Sequence, residues 1–174
     1  ANPNINYVKV ENEGMKYWLA ESRLMELNGK YKILGRKKGS ELKGIEYIMP
    51  YTELEAQKGA PHKVVLWDLA SGEEGTGIVH IAPGCGAEDF DLSKKENLPA
   101  ISPLNDAGIY GGGFGEFSLR KYSDVNKAVL KDLEQRKFVY KTSLYKHRYP
   151  HCWRCGEELV FRLVSEWYIK SKEI

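Results

Sequence analysis

Apolar and polar positions alternate at Tyr7-Val8-Lys9-Val10-Glu11, the period-two pattern of a half-buried strand. Over residues 16–28 the spacing changes. Tyr17, Ala20, Leu24 and Leu27 recur at helical intervals and Gly29 supplies a stop, so the pattern predicts a helix. Residues 31–34, 46–50 and 63–68 read as further strands, divided by Gly35, Gly39, Gly44 and Gly59-Ala60-Pro61. The segment 78–82 is short, apolar and bounded by turn residues, which predicts a central strand. A helix is expected over about 87–97, ending before Pro99, and 99–103 reads as a strand leading to a turn at Asn105-Asp106-Ala107-Gly108. Residues 110–117 hold four of the 17 glycines and read as a loop. Ser123 is the expected N-cap of a helix to about Lys137, with Val125, Ala128, Val129 and Leu133 on one face. Strand-like residues close the chain over 158–170.

Many short strands with two or three helices in no regular alternation predict an α+β fold, with a closed or nearly closed barrel-like core decorated by helices. No repeat, low-complexity tract or linker divides the chain, so one domain over 1–174 is expected. At 19.8 kDa that domain can bury a real core. With 42% hydrophobic and 29% charged residues, the chain is expected to fold and to be soluble. No apolar run approaches the roughly 20 residues of a membrane span, and no membrane partner is expected. The opening Ala1-Asn2-Pro3 has neither a signal-peptide pattern nor an initiator methionine, which suggests a fragment or a processed chain. Three cysteines, a C-x-x-C at Cys152 and Cys155 with Cys85 apart, do not make a disulfide framework and point to a reducing, cytoplasmic setting.

The densest chemistry lies in Gly75-Thr76-Gly77-Ile78-Val79-His80-Ile81-Ala82-Pro83-Gly84-Cys85-Gly86-Ala87-Glu88-Asp89-Phe90. A buried strand, a glycine turn and the start of a helix would bring one imidazole and two carboxylates to one corner, beside backbone that a ligand can approach closely. His80 reads equally as a core histidine with a satisfied hydrogen bond. Glu88 and Asp89 are explained as first-turn carboxylates on a helix macrodipole, worth typically ~0.3–1 kcal/mol. Neighbours on a helix point about 100° apart, so at most one of them can aim into a shared pocket. Gly84-Cys85-Gly86 lacks both the G-x-G-x-x-G spacing and a following Lys-Ser/Thr, which rules out a nucleotide-phosphate cradle of that kind. Cys85 has no activating base in sequence and reads as a small inert thiol.

Cys152 and Cys155 have the knuckle spacing of half a zinc site, while a structural zinc needs four ligands; His147 and His151 would crowd one side. Basic and aromatic residues interleave from Lys141 to Arg154, including Tyr145, Lys146, His147, Arg148 and Tyr149, and Arg36, Lys37, Lys38 and Lys43 form a second group. Both suit RNA phosphates. With a net charge of only +2, both also suit a solvated surface.

The 75–84 block, Glu88-Asp89-Phe90, Ser102-Pro103 with Asp106-Ala107-Gly108, Tyr149-Pro150-His151-Cys152-Trp153-Arg154 and Glu166-Trp167-Tyr168 together resemble isoleucyl-tRNA synthetase. The region resembled is the editing domain inserted into the catalytic Rossmann fold of that class I family. The likeness covers roughly 75–170, and residues 2–10 are also family-like. It implies hydrolysis of the mischarged valyl ester on isoleucine tRNA, with Asp89 binding the substrate's α-ammonium and His80 lining the pocket. Gly77, Ile78, Gly84, Gly86 and Glu88 would shape the substrate site. No cofactor is implied for editing, and no general base is assigned. ATP and isoleucine would be used elsewhere in the parent, whose remaining domains are expected partners along with the tRNA. A threonine-rich segment expected upstream is missing from this chain. The C-x-x-C partner of Cys152 and Cys155 would also lie upstream, making 147–174 a half site for a structural zinc with strands returning toward the catalytic domain. Two competing readings remain: the valyl enzyme's editing domain, which would clear threonyl-tRNA, and a non-catalytic tRNA-binding module.

Overall fold

Tyr7, Val8 and Val10 have no solvent exposure, because the strand that carries them is central in its sheet. In the computed structural model, which describes residues 1–144, 146–167 and 169, β1 (Asn6–Asn12) pairs antiparallel with β2 (Met15–Ala20) and with β3 (Tyr31–Lys38). The β1–β2 register runs from Tyr7 opposite Ala20 to Asn12 opposite Met15. Their two-residue connection, Glu13 (φ 51°) and Gly14 (φ 78°), has the positive φ at both positions that a type I′ hairpin requires. On the other edge a bulge leaves Leu34 unpaired, between Gly35 opposite Lys9 and Ile33 opposite Val10.

The chain divides into two compact units. The first comprises Ala1–Met49, Ala60–Ile81 and Lys95–Leu98 and contains the sheet. Strand alternation splits its core in two. Tyr7, Ala20 and Leu42 pack with Trp18, Ile45, Val64 and Ile78, whereas Val8, Val10 and Leu19 pack with Tyr17, Leu24, Leu27 and Ile33. Buried Asn12 is satisfied by donating to the carbonyls of Asn28 (2.6 Å) and Lys30 (3.0 Å). The second unit comprises Pro50–Gly59, Ala82–Lys94 and Pro99–Ile174. The helix α1 (Ala87–Glu96) begins within it, and it holds α2 (Tyr122–Gln135), whose Val125 is fully buried.

The fold is α+β, but the expected barrel is absent: among the described residues the sheet is open and three-stranded. The helix expected over 16–28 is instead β2 followed by a 3-10 turn, Glu21–Glu26. Of the expected strands, 46–50 and 63–68 share only the single bridge of Glu46 with Lys63, and 99–103 forms none, the nearest bridge being that of Leu104 with Tyr110. The described part of 158–170 adds only the bridge of His151 with Glu158, and 78–82 forms none. Prolines at 50, 61, 83, 99 and 103 supply no N–H, so ladders at these segments stop after one rung or never begin.

Candidate functional site

In the first unit the stretch 74–81 is anchored to the end of β2. The Ala20 N–H donates to the Thr76 carbonyl (2.8 Å), and the Tyr7 hydroxyl donates to the Gly77 carbonyl (2.8 Å) while accepting from the Asn2 N–H (3.0 Å). Burial of Tyr7 raises its phenol pKa, with the Asn2 bond opposing. Gly77 has φ +72°, and a Cβ there would lie 2.5 Å from the Ala20 Cβ, so only glycine fits. Ile78 is half-buried against the Tyr7 cluster, and His80 is exposed. The core-histidine reading therefore falls. The buried strand expected over 78–82 is not formed either.

The carboxylate part belongs to the second unit. The N–H groups of Cys85 (2.9 Å) and Gly86 (3.2 Å) donate to the Ala82 carbonyl, and Phe90 donates to the Gly86 carbonyl (2.9 Å), opening α1. Glu88 and Asp89 occupy its first turn; Glu88 is exposed and Asp89 half-buried. The Asp89 carboxylate folds back over Gly86: a Cβ at Gly86 would lie 2.0 Å from its Oδ2. Gly84 is buried, and a Cβ there would lie 1.8 Å from the Ile101 carbonyl oxygen. Protein thus fills the space beside Gly77, Gly84 and Gly86, and their lack of side chains serves internal packing. Cys85 keeps solvent contact, yet desolvation first and the Asp89 carboxylate second push its thiol pKa up, which suits an inert thiol.

Cys152 and Cys155 sit in a knuckle closed by Gly156 N–H donating to the Cys152 carbonyl (2.8 Å) and Cys152 N–H donating to the Glu157 carbonyl (2.8 Å). Backbone donors from Cys155 and Arg154, then the Cys155 thiol, lower the Cys152 pKa. That is ligand-like chemistry for one half of a site. Among the described residues, however, no group of three or more His, Cys, Asp or Glu is placed to hold a metal, so a zinc does not fit this chain alone. His151 Nδ1 is instead 2.9 Å from the Gly156 carbonyl. Tyr145 of the basic and aromatic stretch, Tyr168 of the Glu166-Trp167-Tyr168 block, Lys170 at the end of the expected closing strand and the last four residues of 147–174 lie outside the described residues.

Sequence reasoning missed one cluster in the second unit. Arg136 pairs with Glu53 (2.6 Å) and Asp132 (3.5 Å) and lies over the Tyr51 ring (5.2 Å). Together with Glu116 and Phe117 these residues line a cleft of about 330 Å³ that does not include Asp89. Only folding joins Glu53 to a residue 83 positions away, so no local pattern signals the cluster.

No protein-family model matches the chain. Curated relatives do. The isoleucine–tRNA ligase of Pyrobaculum aerophilum is 38% identical over 99% of the chain, and that of Carboxydothermus hydrogenoformans 39% over 96%. The Pyrococcus horikoshii ligase is 35% identical over all of it. The chain belongs to the isoleucine–tRNA ligase family. It spans only 18–19% of the length of these three ligases, so it corresponds to one segment of an isoleucine–tRNA ligase. Among the described residues no helix is long and apolar enough to cross a membrane.

Proposed function

We propose that this segment is the editing deacylase module of its ligase, hydrolysing the valyl ester on mischarged isoleucine tRNA. This enzyme family is itself the standard example of the underlying problem, in which one methylene in an apolar pocket is worth only about 1–3 kcal/mol. A second pocket that admits valine and excludes isoleucine supplies the missing discrimination.

The observation that carries the reading is the Asp89 carboxylate, held over Gly86 in the first turn of α1 in a chain that matches isoleucine–tRNA ligases along nearly its whole length. An ammonium bound there makes a charge-assisted contact, which fixes the ester for attack by water. His80, exposed on a segment pinned by Tyr7 and Ala20, is proposed to face the aminoacyl group and terminal ribose. Gly77, Gly84 and Gly86 set the shape of the site through close packing, Ile78 supplies apolar support, and Glu88 remains a solvated neighbour. Editing by this scheme needs no cofactor. A structural zinc would require ligands from elsewhere in the parent, whose other domains and tRNA are the proposed partners.

The test compares hydrolysis of Val-tRNA and Ile-tRNA, both on isoleucine tRNA, by the full-length ligase and its Asp89→Ala variant. Loss of Val-tRNA hydrolysis with isoleucylation intact is expected. Unchanged hydrolysis overturns the assignment, and preferential clearance of threonyl ester from valine tRNA transfers it to the valyl enzyme.

A further inference from the structure

The cleft of the second unit carries more negative charge than its own ion pairs use. Glu53, Glu116 and Asp132 bring three carboxylates to its lining and Arg136 one guanidinium, a formal excess of two negative charges. Arg136 is already engaged, donating to Glu53 at 2.6 Å and standing 3.5 Å from Asp132 Oδ2. Among the described residues Glu116 forms no ion pair, yet its charge reaches the Tyr51 phenol together with those of Asp132 and Arg136.

The depth of the cleft holds a second, independent feature. The Tyr51 hydroxyl and Asp132 Oδ2 are closed to solvent and neither completes a hydrogen bond, although Asp132 lies near enough to raise the phenol pKa. Buried polar atoms are almost always partnered, so two in one cleft call for an explanation. Tyr51 is moreover held there against its backbone preference, at φ +68°, a left-handed conformation uncommon for a bulky residue. Its ring is fixed edge-to-face on Phe117 (5.6 Å) and beneath the Arg136 guanidinium (5.2 Å). An ion-pair network serving the fold alone accounts for Arg136 with Glu53 and Asp132. It gives no role to Glu116 or to the two buried atoms.

The lining selects among ligands. Its excess charge repels phosphates. No three acidic, histidine or cysteine side chains among the described residues are close enough together to hold a metal ion. An amino-acid zwitterion would need a free cation for its carboxylate, and Arg136 is engaged. An organic cation remains, and a primary ammonium has the N–H groups to satisfy both Asp132 Oδ2 and the Tyr51 oxygen. We infer that this cleft binds a short aliphatic diammonium ion, one end held by Asp132 and Tyr51, the other by Glu116, with its methylenes against Leu54 and Phe117. Two positive charges match the excess of two, and about 330 Å³ lies at the small end of ligand pockets, which suits a short chain. The site is separate from Asp89, which does not line the cleft.

Isothermal titration of the full-length ligase with diaminobutane and with butylamine, at low salt and without tRNA, tests this. Butylamine, which lacks the second charge, is expected to bind about 10- to 150-fold more weakly, the equivalent of one hydrogen bond to a charged group. Glu116→Gln should bring the diamine down to the affinity of butylamine and leave butylamine unchanged, whereas Asp132→Asn should weaken both. Glu116 is exposed, so its substitution leaves the fold intact and decides the matter even if Asp132→Asn lowers the melting temperature. Diaminobutane binding no tighter than butylamine overturns the inference, and so does unchanged diamine binding by Glu116→Gln. Loss of the binding heat in Asp89→Ala would place the cation at α1 and overturns it as well. Asp89→Ala is expected to titrate as the wild type does while losing Val-tRNA hydrolysis, so failure of the cleft and failure of the deacylase reading give different results.

Discussion

Replacing Gly86 by alanine separates the position of the Asp89 carboxylate from the presence of that carboxylate. Gly86 has no positive φ, so alanine is acceptable to the backbone there. The obstacle is the side chain itself: its Cβ would fall 2.0 Å from Asp89 Oδ2 and 3.0 Å from Cγ. Both are atoms of a movable carboxylate, so the carboxylate swings away and the helix persists. The stability cost is then confined to the lost first-turn electrostatics, about 0.3–1 kcal/mol. The functional cost is larger. A hydrogen bond to a charged group is worth about 1.5–3 kcal/mol, so a displaced Asp89 should slow Val-tRNA hydrolysis roughly 10- to 150-fold. The assay is single-turnover hydrolysis of Val-tRNA by full-length Gly86→Ala and Asp89→Ala ligases, with isoleucylation and urea unfolding as controls. If Asp89→Ala abolishes hydrolysis and Gly86→Ala retains the wild-type rate, the observed carboxylate pose is not the working one. If Gly86→Ala unfolds the domain, its backbone rather than its missing side chain is what the fold requires.

Gly84→Ala makes the contrasting case, since the atom it meets is the backbone oxygen of Ile101 at 1.8 Å. Overpacking of that kind costs about 1–3 kcal/mol, a fall in melting temperature of roughly 2–12 °C for a chain of this size; an unchanged melting temperature in calorimetry refutes the contact. Tyr7→Phe leaves the Asn2 N–H and Gly77 carbonyl without their shared hydroxyl, costing about 1–3 kcal/mol, and amide exchange should speed selectively around Gly77 and Ile78. Burial and Asp132 push the Tyr51 phenol up to about 12. A raised folded-state pKa means that its stabilising contribution is complete below the unfolded value of about 10 and is lost as pH rises through 12. The difference in tyrosinate absorbance between wild type and Tyr51→Phe should therefore have its midpoint near 12, and a midpoint near 10 refutes the environment assigned to Tyr51.

The sheet shows which signals a chain carries locally. Alternation at residues 7–11 located β1 because a central strand with both faces covered still needs its apolar residues in step with the pleat. β2 was misread for a physical reason. Leu24 and Leu27 pack with Leu19 and Tyr17 in one cluster, so a strand followed by a 3-10 turn delivers the same recurrence of apolar residues as one continuous helix. The overlooked signal was Glu13-Gly14, a two-residue hairpin turn that makes the following segment pair back onto β1. α2 starts at Tyr122 rather than at the expected Ser123 cap because the Gly108 carbonyl, from the preceding turn, takes the Tyr122 N–H at 3.0 Å. That partner lies outside any local window.

The glycines of the candidate site carry the same lesson further. In sequence, Gly77, Gly84 and Gly86 invite the reading of a backbone bared for a ligand. In the fold each bared position is already filled, by Ala20, by the Ile101 carbonyl and by the Asp89 carboxylate. Only the last of these neighbours is a chemically active group, so only at Gly86 does the absence of a side chain bear directly on chemistry. Gly77 and Gly84 instead fix the backbone of the segments leading to His80 and to α1. Small residues there let each segment pack closely within its own unit. A substitution at Gly77 or Gly84 should accordingly cost stability and activity together, whereas one at Gly86 should cost activity first.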